Sequence, residues 1–207
     1  MFVTLEGIEG SGKSTLLTGL AQRLRESGAD PVVTREPGGT PVGAAVREIL
    51  LERSFGTTEM EPMTEAFLMN ASRAELVSRV IRPALAEGRV VLCDRYSDST
   101  IAYQGYGRGL DLPTLRLLCL AATGGLDPDV TLLLDISAEV SQRRIGERGN
   151  LNRIDRAGEQ FSQRARQGYL EMAKTGGRWH VLDATLPTGD LLERAWTIVH
   201  ERIQTPA

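Results

Sequence analysis

Residues 7–14 read Gly-Ile-Glu-Gly-Ser-Gly-Lys-Ser and fit the pattern G-x-x-x-x-G-K-[ST], whose glycines let backbone N–H groups converge on a phosphate. The pattern follows an apolar run at residues 2–5 and precedes an amphipathic stretch from Ser14 to Ser27. A strand, a glycine-rich turn and a helix in this order distinguish a phosphate loop from a chance match. The feature predicts an α/β fold that holds a nucleotide phosphate at a helix N-terminus.

The lysine of this loop makes the match more specific. Only Lys13 and Lys174 are lysines among the 24 basic residues of the chain. In a phosphate loop the lysine reaches the β- and γ-phosphates, and the hydroxyl that follows it, here that of Ser14, ligates Mg²⁺. The sequence therefore predicts that ATP and Mg²⁺ bind here.

The length, charge and composition of the chain limit its domain count, its binding partners and its location. A length of 207 residues predicts one domain, with a lid or insertion at most, and a net charge of −3 argues against a nucleic-acid or anionic-membrane surface. We see neither a signal-peptide pattern nor an apolar run of membrane-spanning length. Cys93 and Cys119 lie in apolar surroundings, so we expect buried, reduced thiols and a cytoplasmic location.

Apolar runs alternate with segments of helical periodicity. The strands are predicted at residues 2–6, 31–34, 89–93, 130–134 and 179–182. The helices are predicted at residues 13–27, 41–52, 62–86, 113–122, 137–146, 158–175 and 188–203. This alternation predicts a doubly wound parallel sheet, which binds ligands at the carboxyl ends of its strands. Residues 7–14, 35–40 and 94–95 all fall at such ends.

Two further motifs directly follow predicted strands. Residues 34–40 read Thr-Arg-Glu-Pro-Gly-Gly-Thr, a turn that leaves the backbone open to close approach. Asp94-Arg95-Tyr96 ends another strand, where the acid is suited to Mg²⁺ and the planar guanidinium to phosphate. Taken alone, each motif has an equally good structural explanation, as a simple turn or as an ion pair that closes a strand end.

An arginine-rich segment follows later in the chain. A charge run is usually a solvated helix face, but beside a phosphate loop we favour a lid, at about residues 146–157, that closes over the transferring phosphates. We expect residues 106–109, Tyr-Gly-Arg-Gly, to be a flexible tether. The arginines of the series are Arg143, Arg144, Arg148, Arg153 and Arg156.

Four motifs in this order resemble those of bacterial thymidylate kinases, over roughly residues 2–172. They are G-x-E-G-S-G-K-S, T-R-E-P-G-G-T, D-R-Y-x-x-S-x-x-A-Y-Q-G and R-G-x-x-x-R-x-D. The resemblance implies a phosphate-loop nucleoside-monophosphate-kinase fold with a five-stranded parallel sheet, a lid and usually a homodimer. It also implies transfer of the γ-phosphoryl group of ATP to dTMP, giving ADP and dTDP on the way to dTTP.

The resemblance implies a role for each matching residue on the ATP side. The ATP-phosphate loop comprises Gly7, Glu9, Gly10, Ser11, Gly12, Lys13, Ser14 and Thr15. Ser14 and Asp94 belong to the metal region. The loop itself carries no arginine, as in family members that supply the catalytic arginine from the lid. The implied catalytic residues are Lys13, Glu9, Arg95, Arg148 and Arg153.

The acceptor side is implied in the same way. Arg35 and Arg95 match arginines that hold the acceptor phosphate, and Glu9 the carboxylate near the sugar 3′-hydroxyl. Tyr103 matches the ring that crowds the sugar 2′ position and disfavours ribonucleotides. Arg73 matches the arginine that reads the base. The other implied contacts are Thr100 and Gln104 on thymine, Pro37 near its methyl group, Glu36 and Gly38 beside sugar and base, and Arg47 at the rim.

One position departs from the family pattern. Family members commonly have an aromatic residue four positions before the base-reading arginine, and here that residue is Met69, which covers a ring through sulfur contact without aromatic stacking. Another small-molecule kinase of this fold, acting on a different nucleotide or on a nucleoside, is the nearer alternative. A nucleotide-dependent switch protein is a remote one, because the chain lacks the N-K-x-D motif that usually reads guanine.

Overall fold

A computed structural model describes residues 1–53, 59–149 and 151–205. For Arg148, only the backbone is described. Five strands in these residues form one sheet in the order β2-β3-β1-β4-β5, with every neighbouring pair parallel. This confirms the predicted doubly wound α/β fold. The strands are β1 (Phe2–Glu6), β2 (Val32–Arg35), β3 (Val91–Asp94), β4 (Val130–Asp135) and β5 (Trp179–Asp183).

The three inner strands are the most buried part of the sheet. All five residues of β1 are buried, as are most residues of β3 and β4, because helices cover both faces of a parallel sheet. In the register of the sheet, Asp94 of β3 lies beside both Leu5 of β1 and Arg35 of β2. The candidate ligand residues that follow these strands therefore gather at one edge of the sheet.

The helices begin and end close to their predicted bounds. The predicted helices at 41–52 and 62–86 are continuous but contain π-helical stretches at Glu48–Glu52 and Val77–Ile81. No helix among the described residues is long and apolar enough to cross a membrane. The helices are α1 (Lys13–Glu26), α2 (Pro41–Arg47), α3 (Pro62–Leu76), α4 (Arg82–Ala86), α5 (Ser97–Thr100), α6 (Leu112–Thr123), α7 (Ala138–Arg148), α8 (Glu159–Ala173) and α9 (Thr188–Gln204).

One helix was not predicted. Helix α5 continues as a π-helical stretch over Ile101–Gly107, where the sequence suggested a tether from residue 106. The glycines here serve close packing: a Cβ on Gly107 would lie 2.6 Å from the ring of Phe161, and one on Gly105 would lie 2.4 Å from Leu112. Residues 106 and 107 therefore belong to a packed helix, and the tether prediction was wrong for them.

The predicted lid segment, residues 146–157, begins inside α7. The helix ends at Arg148, and Gly149 follows with φ at 71°. A short 3₁₀ helix covers Asp155–Ala157, and Ile154 beside it is buried. Asn150 and the side chain of Arg148 lie outside the described part of the chain. Lid closure itself stays a prediction.

Candidate active site

The loop between β1 and α1 is shaped by the elements that press on it. Gly7 has φ at 138°, and a Cβ there would lie 2.5 Å from the carbonyl oxygen of Leu134 in β4. Gly10 has φ at 73°, and a Cβ there would lie 3.2 Å from the carbonyl oxygen of Ser141 in α7. Glycine is needed at both positions because the backbone is left-handed and its neighbours leave little room for a side chain.

Lys13 lies folded back across this loop. Its Nζ donates to the carbonyl oxygens of Gly7 and Ile8, both at 3.0 Å, and to Oγ of Ser11 at 3.3 Å. Burial, with the nearby Arg95 adding to it, lowers the pKa of Lys13 to about 8. A buried ammonium with a depressed pKa gains from an anionic partner, because a phosphate offsets its desolvation. The geometry suits Lys13 to phosphate binding.

Ser14 and Asp94 form a pair of hard oxygen donors beside the loop. The hydroxyl of Ser14 donates to Oδ2 of Asp94 at 3.0 Å, joining the start of α1 to the end of β3. The described residues contain no group of three or more His, Cys, Asp or Glu side chains that could hold a metal by themselves. A hydroxyl and one carboxylate fit Mg²⁺, which usually keeps several waters and takes the rest of its ligands from substrate phosphates.

Arg95 donates five side-chain hydrogen bonds within the site. It has φ at 73° and is 9% exposed. Its NH1 group donates to the carbonyl oxygen of Gly7 at 2.9 Å, and its NH2 group donates to Oε1 of Glu9 at 2.8 Å and to the Tyr103 hydroxyl at 3.1 Å. The guanidinium also lies over the Tyr103 ring, 4.9 Å from its centroid. These contacts hold the planar cation in one orientation.

A buried carboxylate stands behind this arginine. NH1 of Arg95 also donates to Ser99 Oγ at 3.2 Å and to the Tyr169 hydroxyl at 3.1 Å. Both hydroxyls in turn donate to Oε2 of Glu6, at 2.6 Å and 2.9 Å. Burial raises the pKa of Glu6 to about 7, and Asp98 adds to the effect. Glu6, which was not among the predicted residues, therefore supports Arg95 through two hydroxyl groups.

The phosphate loop, Asp94 and Arg95 line one cavity of about 450 Å³. The cavity joins the phosphate loop to the residues after β2 and β3, as expected from the predicted sheet. Sequence reasoning did not assign Leu51, Ser99, Arg144, Asn152 or Ile154 to it. The predicted residues that line it are Glu9, Gly10, Gly12, Lys13, Ser14, Thr15, Arg35, Glu36, Pro37, Arg47, Met69, Asp94, Arg95, Tyr103 and Gln104.

Five other predicted residues, Gly7, Ser11, Gly38, Arg73 and Thr100, are buried and lie behind the cavity wall. Gly7 and Ser11 contact Lys13, and Gly38 donates its N–H to Ser72 Oγ at 3.2 Å. Arg73 is 1% exposed, and its guanidinium donates to Glu36 Oε2 at 2.9 Å and to Thr100 Oγ1 at 3.0 Å. Arg73 and Thr100 thus contact each other behind the wall, and base reading by either residue stays a prediction.

Two arginines of the series noted in the sequence, Arg144 and Arg153, have separate environments. Arg144 donates to the carbonyl oxygen of Gly10 in the phosphate loop at 3.1 Å and to that of Ala184 at 3.2 Å. Arg153 pairs with Glu65 of α3 at 2.5 Å and donates to the carbonyl oxygen of Leu50 at 2.9 Å. Arg144 belongs to the arginine series noted in the sequence, and its hydrogen bond to Gly10 holds its guanidinium against the loop backbone.

Comparison with known proteins identifies the family. The sequence model of the family described as "Thymidylate kinase" matches residues 5–195. The chain belongs to the thymidylate kinase family. A thymidylate kinase of Deinococcus radiodurans is 49% identical over 203 residues, covering 98% of this chain and 97% of that protein. One of Pseudomonas putida is 50% identical over 185 residues, covering 89% and 87% of the two chains.

A solved thymidylate kinase has the same architecture. The crystal structure of the enzyme from Ehrlichia chaffeensis superposes with a TM-score of 0.77 at 31% sequence identity, covering 96% of this chain and 98% of that one. The family match at residues 5–195 includes the phosphate loop, every residue that lines the cavity and the arginine-rich segment. The chain is thus a phosphotransferase of the thymidylate kinase family with the five-stranded parallel sheet that its sequence predicted.

Proposed function

We propose that this protein transfers the γ-phosphoryl group of ATP to dTMP, giving ADP and dTDP on the way to dTTP. One observation carries the proposal beyond family membership. A single cavity is lined at one end by the phosphate loop and elsewhere by Arg35, Arg95 and a mixed wall of Met69 and Gln104. It offers cations for a second phosphate, and the thioether of Met69 beside the amide of Gln104 suits a small base.

The reaction requires positioning and charge neutralisation more than covalent help from the protein. An oxygen of the acceptor phosphate forms the new bond to the γ-phosphorus, while the bond to the β,γ-bridging oxygen breaks and ADP leaves with the electron pair. No general base is required, because the acceptor phosphate is ionised at neutral pH. Arg35 and Arg95 would hold that phosphate in line with the γ-phosphoryl group.

Several groups would neutralise the negative charge on the transferring phosphoryl group. Lys13 would move from the loop carbonyls to the β- and γ-phosphates. Mg²⁺, held by Ser14 and, directly or through water, by Asp94, would supply further neutralisation of these phosphates. The proposed lid arginines, Arg148 and Arg153, would complete this arrangement on closure. Arg153 would first have to leave its contact with Glu65.

A turnover panel tests the proposal. ADP production is measured with ATP, Mg²⁺ and each of dTMP, dUMP, dCMP, dAMP, dGMP and thymidine. We expect dTMP to give the highest kcat/KM. If thymidine or another nucleotide were the best acceptor, the protein would be a different small-molecule kinase of this fold. Nucleotide binding with no phosphoryl transfer to any acceptor would instead indicate a switch protein.

Replacing Met69 by Phe is expected to tighten dTMP binding about fivefold, because a stacked ring contributes roughly 1 kcal/mol beyond its buried area. The side chain is half-buried and lines the cavity, so a ring can reach a bound base. Calorimetric titration with dTMP measures the effect, and the affinity for ATP serves as the internal control. Weaker dTMP binding would show that the pocket is already packed around the methionine.

We further propose a homodimer in the cytoplasm. The support is an apolar surface on two helices that pack together: Phe67 on α3 is 55% exposed, and Leu117 and Leu120 on α6 are 67% and 56% exposed. Large side chains exposed in this way suit an interface. Sedimentation equilibrium at micromolar concentration should give twice the chain mass, and a monomer would contradict the dimer.

The proposed cytoplasmic location rests on the two cysteines. Both are free and buried, as suits a reducing compartment.

A further inference from the structure

Glu65 of α3 is a fully buried carboxylate with a partner on each of its oxygen atoms. Oε1 accepts a hydrogen bond from Nε2 of Gln104 at 2.5 Å. Oε2 lies 2.5 Å from NH2 of Arg153 and 3.4 Å from NH2 of Arg108. The two guanidinium groups engage one oxygen and leave the other to Gln104. Nothing in the sequence distinguished Glu65 from a solvated residue on an amphipathic helix.

This contact decides which way the amide of Gln104 faces. Gln104 is fully buried and lines the cavity, and its Oε1 has no donor among the described residues. A carboxylate only accepts hydrogen bonds, whereas a glutamine amide has a donor end and an acceptor end. If the amide turned round, its oxygen would lie against Glu65 and two acceptors would be forced together. Glu65 therefore holds the NH₂ group and leaves the carbonyl oxygen without a donor.

We propose that Glu65 makes this site selective for pyrimidines that carry an N–H donor at ring position 3. Glu65 takes one N–H of the amide, and the carbonyl oxygen of Gln104, which has no donor among the described residues, is the group that we assign to the base. Thymine and uracil present N3–H to such an acceptor, whereas cytosine presents a bare N3 and leaves two acceptors facing each other. The inference rests on the proposed function, in that the acceptor base must occupy the part of the cavity beside Gln104. In this inference, Glu65 is a positioning residue that acts on the base through Gln104.

The test is the ratio of dTMP affinity to dCMP affinity, measured by calorimetry on the full chain and on the variant Glu65→Gln. The glutamine can turn either its oxygen or its NH₂ group towards Gln104, so both orientations of Gln104 become available. We expect the dTMP-to-dCMP ratio to fall about tenfold, the size of one lost hydrogen-bond preference. The affinity for dUMP should fall in parallel with that for dTMP, because both bases carry the same N3–H donor.

The matched control is Arg108→Met, which removes a cation from the other oxygen of Glu65 and leaves the carboxylate in place. We expect this variant to keep the ratio within about twofold of the parent. An unchanged ratio in Glu65→Gln would overturn the proposal. An equal fall in both variants would also overturn it, since Glu65 would then act only through the charge of the Arg108–Arg153 cluster.

A measurement on the parent protein keeps the inference testable even if Glu65→Gln does not fold. In the dTMP complex, nuclear Overhauser contacts from the Gln104 NH₂ protons should reach the γ-protons of Glu65 and not the base. Contacts to the base would overturn the proposal. If the parent bound no dTMP at all, the proposed function itself would fail. If it bound dTMP and the amide faced the base with its NH₂ group, only this inference would fail.

Discussion

Lys13→Ala is expected to lower kcat for ADP formation about 10³-fold while the chain stays folded, because a preorganised cation at the transferring phosphates is lost. The ammonium group lies across the loop, within 3.3 Å of three oxygen atoms that precede it in the chain. A phosphate bound in the loop offers it a better partner than neutral carbonyls do. ADP production with saturating dTMP, ATP and Mg²⁺ measures the loss.

The chain provides its own control for this experiment, because it has a single other lysine. Lys174 follows α8, is largely exposed and, among the described residues, pairs with Glu171 three positions earlier. Lys174→Ala is therefore expected to keep kcat within about twofold, as is usual for an exposed ion pair. Circular dichroism and thermal melting check the fold of both variants. A folded Lys13→Ala protein with kcat near that of Lys174→Ala would remove residues 7–14 from the catalytic site.

Much of the sheet could be predicted because burial on both faces leaves a plain pattern. β1, β3 and β4 are nearly continuous apolar runs, and a parallel sheet brings their carboxyl ends to one edge. The helix over residues 97–107 could not be predicted in the same way. Its glycines fit against Leu112 and Phe161, and the second of these lies more than fifty residues further along the chain. Packing against such distant residues overrides the local conformational preference of the glycines.

The site likewise contains residues whose positions could be predicted from the sequence and residues whose positions could not. Arg35 ends a strand, and the phosphate loop and Arg95 follow strands directly, so their convergence on one cavity follows from the sheet. Glu6 and Glu65 were missed because their partners come from distant segments: Tyr169 is 163 positions from Glu6, and Gln104 is 39 positions from Glu65. An acidic residue on a strand or helix gives no local sign that it will be buried with donors from elsewhere in the fold.

Arg95→Lys is expected to lower kcat/KM for dTMP about 10²-fold and to change KM for ATP by less than about threefold. Hydrogen bonds to a charged group contribute roughly 1.5–3 kcal/mol each, and lysine cannot reproduce the planar fork. In the protein the fork is fixed from behind by Ser99 and Tyr169, which Glu6 holds in turn. A flexible ammonium would keep the charge near the acceptor phosphate and lose its orientation.

The matched comparison is Arg35→Lys. Arg35 lines the same cavity but is exposed, so the substitution disturbs little inside the protein. We expect it to raise KM for dTMP about tenfold with kcat nearly unchanged, the pattern of a contact made equally in ground and transition states. Arg95→Lys should instead lower kcat as well, with melting temperatures reported for both variants. Equal effects on kcat in two folded variants would mean that the network behind Arg95 only packs the core. A larger loss confined to Arg95→Lys would show that Glu6, Ser99 and Tyr169 align the guanidinium for transfer.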